Sequence, residues 1–99
     1  MSKYHSKRVG AYASKREARR AAELCLMQNM GLISDLEEQV KFELVPKQEG
    51  ERAVTYTADF RYKENGQVVV EDSKGMKTQQ YVIRRKLMKF IHGITVRET

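Results

Sequence analysis

Two stretches in the middle of the chain alternate apolar and polar positions with the period of a β-strand: Val54-Thr-Tyr-Thr-Ala-Asp-Phe-Arg-Tyr62 and Gln67-Val-Val-Val-Glu-Asp-Ser-Lys74. Between them stands Asn65-Gly66, a dipeptide favoured in two-residue hairpin loops because both central positions need a positive φ. With Glu64 opposite Gln67, counting back along both strands sets Asp59 opposite Asp72 and Thr57 opposite Lys74. A helical period appears twice. Ser14-Lys-Arg-Glu17 opens a helix that runs to Met30 and is stopped by Gly31, with Ala18, Ala21, Ala22, Cys25 and Leu26 as its apolar stripe. Thr78 caps a second helix through His92, with Val82, Ile83, Leu87, Phe90 and Ile91 as the expected core face and Gly93 as its stop. Val40-Lys-Phe-Glu-Leu-Val45 alternates as a strand and ends at the only proline, Pro46, before a polar loop from Lys47 to Arg52; a short last strand is expected at Ile94-Thr-Val-Arg97. The predicted order is α-β-β-β-α-β, an α/β (α+β) class with a mixed sheet flanked by two helices.

Length then bounds the organisation. Ninety-nine residues make one small domain with a modest core, expected over 14–99, preceded by a basic arm over 1–13. The formal net charge of +6 is unevenly spread: residues 1–20 carry seven Lys/Arg and one acid, residues 77–99 carry six and one, and the middle is net acidic. Basic ends around an acidic centre suit a metal site flanked by phosphate contacts. No apolar run is long enough for a signal peptide or membrane span. The single cysteine, Cys25, falls on an apolar helix face, so a buried thiol is expected, with no disulfide framework or zinc site, in a reducing cytoplasm. His5 and His92 lack metal-ligand spacing, and there is no recognition-helix pattern, so base-specific readout is not expected.

The hairpin carries the chemistry. Like charges placed directly opposite each other destabilise a ladder, so Asp59 against Asp72 calls for a compensating charge, which a divalent metal supplies. Asp72-Ser-Lys74 keeps the period of two, putting carboxylate and ammonium on one side and Glu71 and Ser73 on the other. Glu17 stands at the head of the first helix's apolar stripe. It is either a site acid facing the protein or the closing half of an S-x-x-E capping box, and the two roles are compatible.

Four motifs, Ser14-Lys15-x-Glu17-Ala18, Gly31-x-Ile33-x-x-Leu36-x-x-Gln39, Thr57-Ala-Asp59-Phe60 and Val70-Glu-Asp72-x-Lys74-Gly75, occur in this order over roughly residues 12–98. With the αβββαβ order, they make the chain resemble the PD-(D/E)XK nuclease superfamily and its restriction-endonuclease-like core. The closer likeness is to small phage-encoded members described as endonucleases or Holliday-junction resolvases. Two positions depart from the pattern: Ala58 stands at the motif's proline, and Asp72 at its commoner glutamate. The resemblance implies a DNA endonuclease acting on branched DNA such as a four-way junction. Asp59, Asp72, the Ser73 carbonyl and Glu17 would hold Mg2+ or Mn2+, and Lys74 would orient water or stabilise phosphoryl charge. Cutting two symmetric strands implies a homodimer, and a phage origin implies the bacterial host's cytoplasm.

Lys15, Arg16, Arg19 and Arg20 crowd the first helix near Glu17, while Arg84, Arg85 and Lys89 are expected outward on the second. With Lys77 and the arm residues Lys3, Lys7 and Arg8 they are candidate contacts to phosphate backbones, and Tyr81 is a candidate DNA contact or a packing residue. The rival readings are a non-catalytic double-stranded nucleic-acid-binding module, which shares the α-β-β-β-α order, and a catalytically idle nuclease-fold subunit.

Overall fold

A computed structural model describes residues 12–99, and its organising feature is the reversal at Asn65-Gly66, both in the left-handed region (φ 54° and 77°). The reversal joins β2 (Val54–Glu64) to β3 (Gln67–Asp72) in the expected register, from Glu64↔Gln67 to Phe60↔Glu71. On the other side of β2 lies β1 (Ser34–Val45), antiparallel to it with Val40↔Ala58 and Phe42↔Tyr56 as partners. Beyond β3, the chain crosses through a helix and returns as β4 (Arg97–Glu98), parallel to β3. The sheet is therefore mixed, in the order β1-β2-β3-β4. With α1 (Lys15–Asn29) and α2 (Gln79–His92) it completes an α+β domain in the expected element order. The expected arm over 1–13 lies outside the described residues, apart from Tyr12 and Ala13.

Both helix starts form as their caps dictate. The Ser14 hydroxyl accepts the Glu17 N–H, and the Thr78 hydroxyl accepts the Tyr81 N–H, each at 3.1 Å. Gly93 ends α2 at φ 69°, where a side chain would be strained.

β2 is the spine of the core. Its alternate residues Tyr56, Ala58, Phe60 and Tyr62 are all buried. Phe60 and Tyr62 pack with Ala21, Leu24 and Cys25 of α1 and with Ile33 and Leu36; Tyr56 and Ala58 pack with Tyr81 and Met88 of α2, Leu44, Val70 and Val96. Each helix thus covers one half of a single strand. Cys25 is buried, as expected. No described helix is long and apolar enough to cross a membrane.

Several expectations need correction. β1 begins at Ser34 rather than near Val40, because an edge strand leaves one side to water and its first half needs no apolar alternation; Asp35 turns through φ 56° at an irregularity there. β3 ends at Asp72 and its pairing with β2 at Phe60↔Glu71, so Lys74 lies past the ladder and does not pair with Thr57. β4 lies later than Ile94–Arg97, at Arg97–Glu98. The α1 stripe is Glu17, Ala21, Leu24 and Cys25, whereas Leu26 is exposed. On α2 the buried residues are Tyr81 and Met88; Val82 and Leu87 are half-buried, and Ile83, Phe90 and Ile91 face out.

Candidate active site

The acid pair sits where the β2–β3 ladder ends. One step past Phe60↔Glu71, carboxylates replace the backbone rungs. The Asp59 N–H donates to Asp72 Oδ1 and the Ser73 N–H donates to Asp59 Oδ2, both at 2.9 Å. Tyr56 donates its hydroxyl to the other Asp72 oxygen. Asp72 is fully buried and Asp59 partly so, and each carboxylate bears on the proton affinity of the other. The register read from Asn65-Gly66 therefore brings these acids together.

Glu17 reaches this pair from α1. It is buried, and its carboxylate accepts the side-chain amide of Gln39 at 3.0 Å and interacts with the Ala13 backbone N–H. The helix cap and the inward-facing acid are thus both real. Only the Ser14 half of the capping box forms in the standard way, because the Glu17 carboxylate is drawn to Ala13 and Gln39. Gln39 holds φ 54°, a conformation that costs a residue with a side chain about 1–2 kcal/mol. Its amide spans from the edge strand to the helix.

Lys74 follows β3. Its N–H donates to the Thr99 carbonyl at 3.1 Å, its ammonium lies 4.8 Å from the centre of the Tyr81 ring, and its charge acts on both Glu17 and Asp59. Acid, acid, acid and lysine share one electrostatic neighbourhood.

That neighbourhood is short of positive charge. Burial raises the proton affinity of Asp72, the Tyr56 hydroxyl opposes the rise, the Asp59 charge adds to it, and the group is pushed up to about 6. Asp59 is raised by burial, opposed by the Ser73 N–H, and raised further by the Glu17 charge. Glu17 is raised by burial and by Asp72, with Ala13 and Lys74 pulling the other way. Burial likewise raises the Tyr56 phenol, and the Asp72 carboxylate adds to the shift.

The donor set is one that a hard cation fits: oxygen ligands only, with two carboxylates side by side. Magnesium is commonly held by one or two carboxylates and keeps several waters. Each carboxylate oxygen has two acceptor positions, so the hydrogen bonds described leave capacity on both acids. Among the described residues no three acidic, histidine or cysteine side chains form a ready-made metal centre. The fit is that of the Asp59–Asp72 pair with Glu17 behind it.

The other sequence-predicted residues divide in two. Arg16 and Lys15 are exposed on α1, and Arg16 Nε lies 3.7 Å from where a side chain at Gly75 would begin. On the α2 side the candidates are already engaged: Arg85 and Lys77 pair with Glu98 at 2.7 and 3.4 Å, and Arg84 donates to the Thr55 carbonyl at 2.9 Å. Tyr81 is a core residue; it is buried and donates its hydroxyl to Glu98 at 2.7 Å, which corrects its place among surface contacts. Together with Arg85, that hydroxyl holds the Glu98 carboxyl down to about 2. Ser73 contributes its N–H to Asp59 and its hydroxyl to Thr99. Lys7 and Arg8 lie outside the described residues.

Three neighbours of the site are not marked out by the sequence as such: Tyr56, Gln39 and Glu71. Tyr56 carried only its alternation. Gln39 stood in a quoted motif without a role. Glu71 is fully buried beside the site and receives Arg20 Nε at 2.6 Å, Arg20 Nη2 at 3.1 Å, the Tyr62 hydroxyl at 2.5 Å and the Thr99 hydroxyl at 3.1 Å. A charged residue on the apolar side of a strand was the available signal.

The chain belongs to the family described as protein of unknown function (DUF1064), whose pattern matches residues 1–96. No curated protein and no solved structure matches it.

Proposed function

We propose that this protein is a metal-dependent endonuclease of PD-(D/E)XK type that hydrolyses phosphodiester bonds in DNA, with branched DNA such as a four-way junction as its favoured substrate. The supporting observation is the convergence of Asp59 and Asp72 at the end of the β2–β3 ladder, both with raised proton affinity and neither in an ion pair among the described residues. Such a pair is a poor structural device and a good cation site. Mg2+ or Mn2+ held there would make a bound water nucleophilic and offset charge on the phosphoryl oxygens.

The chain's own residues then have distinct tasks. Asp59 and Asp72 fix the cation, and their backbone bonds hold both carboxylates in place. Glu17, held by Gln39, adds a third acid facing the same centre. Lys74 presents a mobile ammonium to the attacking water or the phosphoryl oxygens, a role suited to a compact charge on a flexible stem. Paired cuts across a junction require two such sites, so the working form is a homodimer acting in the reducing cytoplasm, where its DNA is found.

The test is cleavage of labelled four-way junction, linear duplex and single-stranded DNA by wild type, Asp72→Asn and Lys74→Ala, with Mg2+ or Mn2+. Wild type should cut the junction best, and both variants should lose about 10²-fold or more while still binding. Undiminished cutting by Asp72→Asn would remove the site assignment. Tight binding by wild type with no cutting under any metal would make the chain an idle nuclease-fold subunit.

A further inference from the structure

An opening beside the acid pair is lined by Ser73. It is a cleft of about 150 Å³ lined by Arg16, Arg19, Arg20, Glu23, Ser73 and Thr99. Three guanidiniums meet there, but they are not equivalent. Arg20 is spoken for by Glu71 and by Glu23, the latter at 3.1 Å, which also accounts for the one acid in the lining. Arg16 and Arg19 are exposed and make no ion pair among the described residues. Arg16 lies over the Gly75 backbone, so it spans from α1 to the connection that carries Lys74. Ser73 joins the two features directly: it lines the cleft and its N–H holds the Asp59 carboxylate.

We propose that this cleft seats a backbone phosphate of a polynucleotide strand, beside the phosphodiester presented to Asp59 and Asp72. The inference rests on the nucleic-acid reading above and specifies which surface holds the strand. Two uncommitted guanidiniums match the donors a phosphodiester accepts, while the Ser73 and Thr99 hydroxyls, already bonded to each other and to Glu71, form part of the wall. Arg20, fixed between Glu71 and Glu23, offsets those acids and leaves Arg16 and Arg19 as the cations that face a ligand. The cleft is shallow and its free arginines are exposed, which suits a phosphate held as one of several along a strand rather than a small phosphate captured alone. On the α2 side Arg85 of the helix and Lys77 just before it are already occupied by Glu98, so the strand is held chiefly on the α1 side.

The test is fluorescence anisotropy of a labelled duplex and a labelled junction without divalent metal, between about 50 and 200 mM salt. Wild type is compared with Arg16→Ala/Arg19→Ala and with Arg61→Ala, whose guanidinium pairs with Glu37. The double variant should bind about ten-fold or more weakly at mid-range salt, and its slope of log affinity against log salt should fall by roughly one to two. Arg61→Ala should behave as wild type. Equal affinity and slope for the double variant would overturn the proposal. So would binding of a single nucleoside monophosphate as tight as that of the oligonucleotide, since it would make the cleft a small-molecule site. The arms separate from the hydrolytic reading: a wild type that never cuts but loses binding through these arginines leaves the cleft standing, and a cutting enzyme whose double variant binds normally rejects the cleft alone.

Discussion

The main-chain N–H of Asp59 donates to the carboxylate of Asp72 at 2.9 Å, and one residue on, the Ser73 N–H answers to the carboxylate of Asp59 at the same distance. The two acids thus replace a rung of the ladder that their own strands have ceased to form. The side chains cannot diverge without leaving backbone donors unpaired, at about 1–3 kcal/mol each. Precise placement of two like charges is the result, and it carries an electrostatic cost.

That cost predicts a stabilising loss-of-function variant. Asp72→Asn removes one buried charge, keeps an oxygen for the Asp59 N–H and offers its amide to the Tyr56 hydroxyl. It should raise metal-free stability at pH 7.5 by about 1–3 kcal/mol, the scale of a two-unit pKa elevation. For a domain of this size that is a Tm higher by several degrees. Thermal melts with a chelator present check it, and an unchanged or lower Tm would show that the charge is not uncompensated.

Stability should also depend on pH in the direction opposite to that of salt-bridged acids. Asp72 has its folded-state pKa raised to about 6, so between its ordinary value and about 6 the native chain binds more protons than the unfolded one. Its contribution is fully present below the ordinary carboxylate range and is lost as pH rises through about 6. Asp59 and Glu17, raised in the same direction, add to the trend. Metal-free denaturation midpoints should therefore fall from about pH 5 to pH 7, and millimolar Mg2+ or Mn2+ should flatten the fall. Glu98, held low by Tyr81, Arg85 and Lys77, works the other way, but only well below pH 5.

Gln39 separates strain from contact. Gln39→Ala loses the amide to Glu17 and keeps the left-handed backbone, whereas Gln39→Gly loses the same amide and relieves the φ of 54°. Both should reduce cleavage by about ten-fold or more, and the glycine variant should be more stable than the alanine one by about 1 kcal/mol. Equal activity of both variants and wild type would mean Glu17 needs no holding.

Glu71 serves the scaffold rather than the chemistry. Glu71→Gln leaves Arg20 facing a neutral group in a closed network with Tyr62 and Thr99, and breaking a buried pair of this kind costs about 3–5 kcal/mol. Chemical denaturation should show that loss. Metal affinity of the folded fraction should be little changed, unlike that of Asp72→Asn.

The hairpin, the two caps and the element order were legible because each is set locally. Asn65-Gly66 leaves one register open, and Ser14 and Thr78 each satisfy amides within their own first turn. From that register Asp59 and Asp72 followed directly. The helix faces did not follow. α2 carries apolar residues almost all round, at 81, 82, 83, 87, 88, 90 and 91, so its period alone cannot decide which side meets a narrow sheet. Tyr81 won its place because Glu98 on the neighbouring strand receives its hydroxyl, a contact between segments far apart in sequence. The first half of β1 was hidden by its polarity, and the Gln39–Glu17 bond by the strand-to-helix distance it spans. The roles of Lys77, Arg84 and Arg85 depended on partners that charge counting cannot name.

The central claim is that Asp59 and Asp72 together cage a divalent cation. Electron paramagnetic resonance titration of Mn2+ into wild type and Asp72→Asn, at pH 7.5 with competing monovalent salt, addresses it without any DNA. Wild type should remove free Mn2+ signal at a site that Asp72→Asn weakens by ten-fold or more. Equal Mn2+ uptake by the two proteins, or none by either, would contradict it.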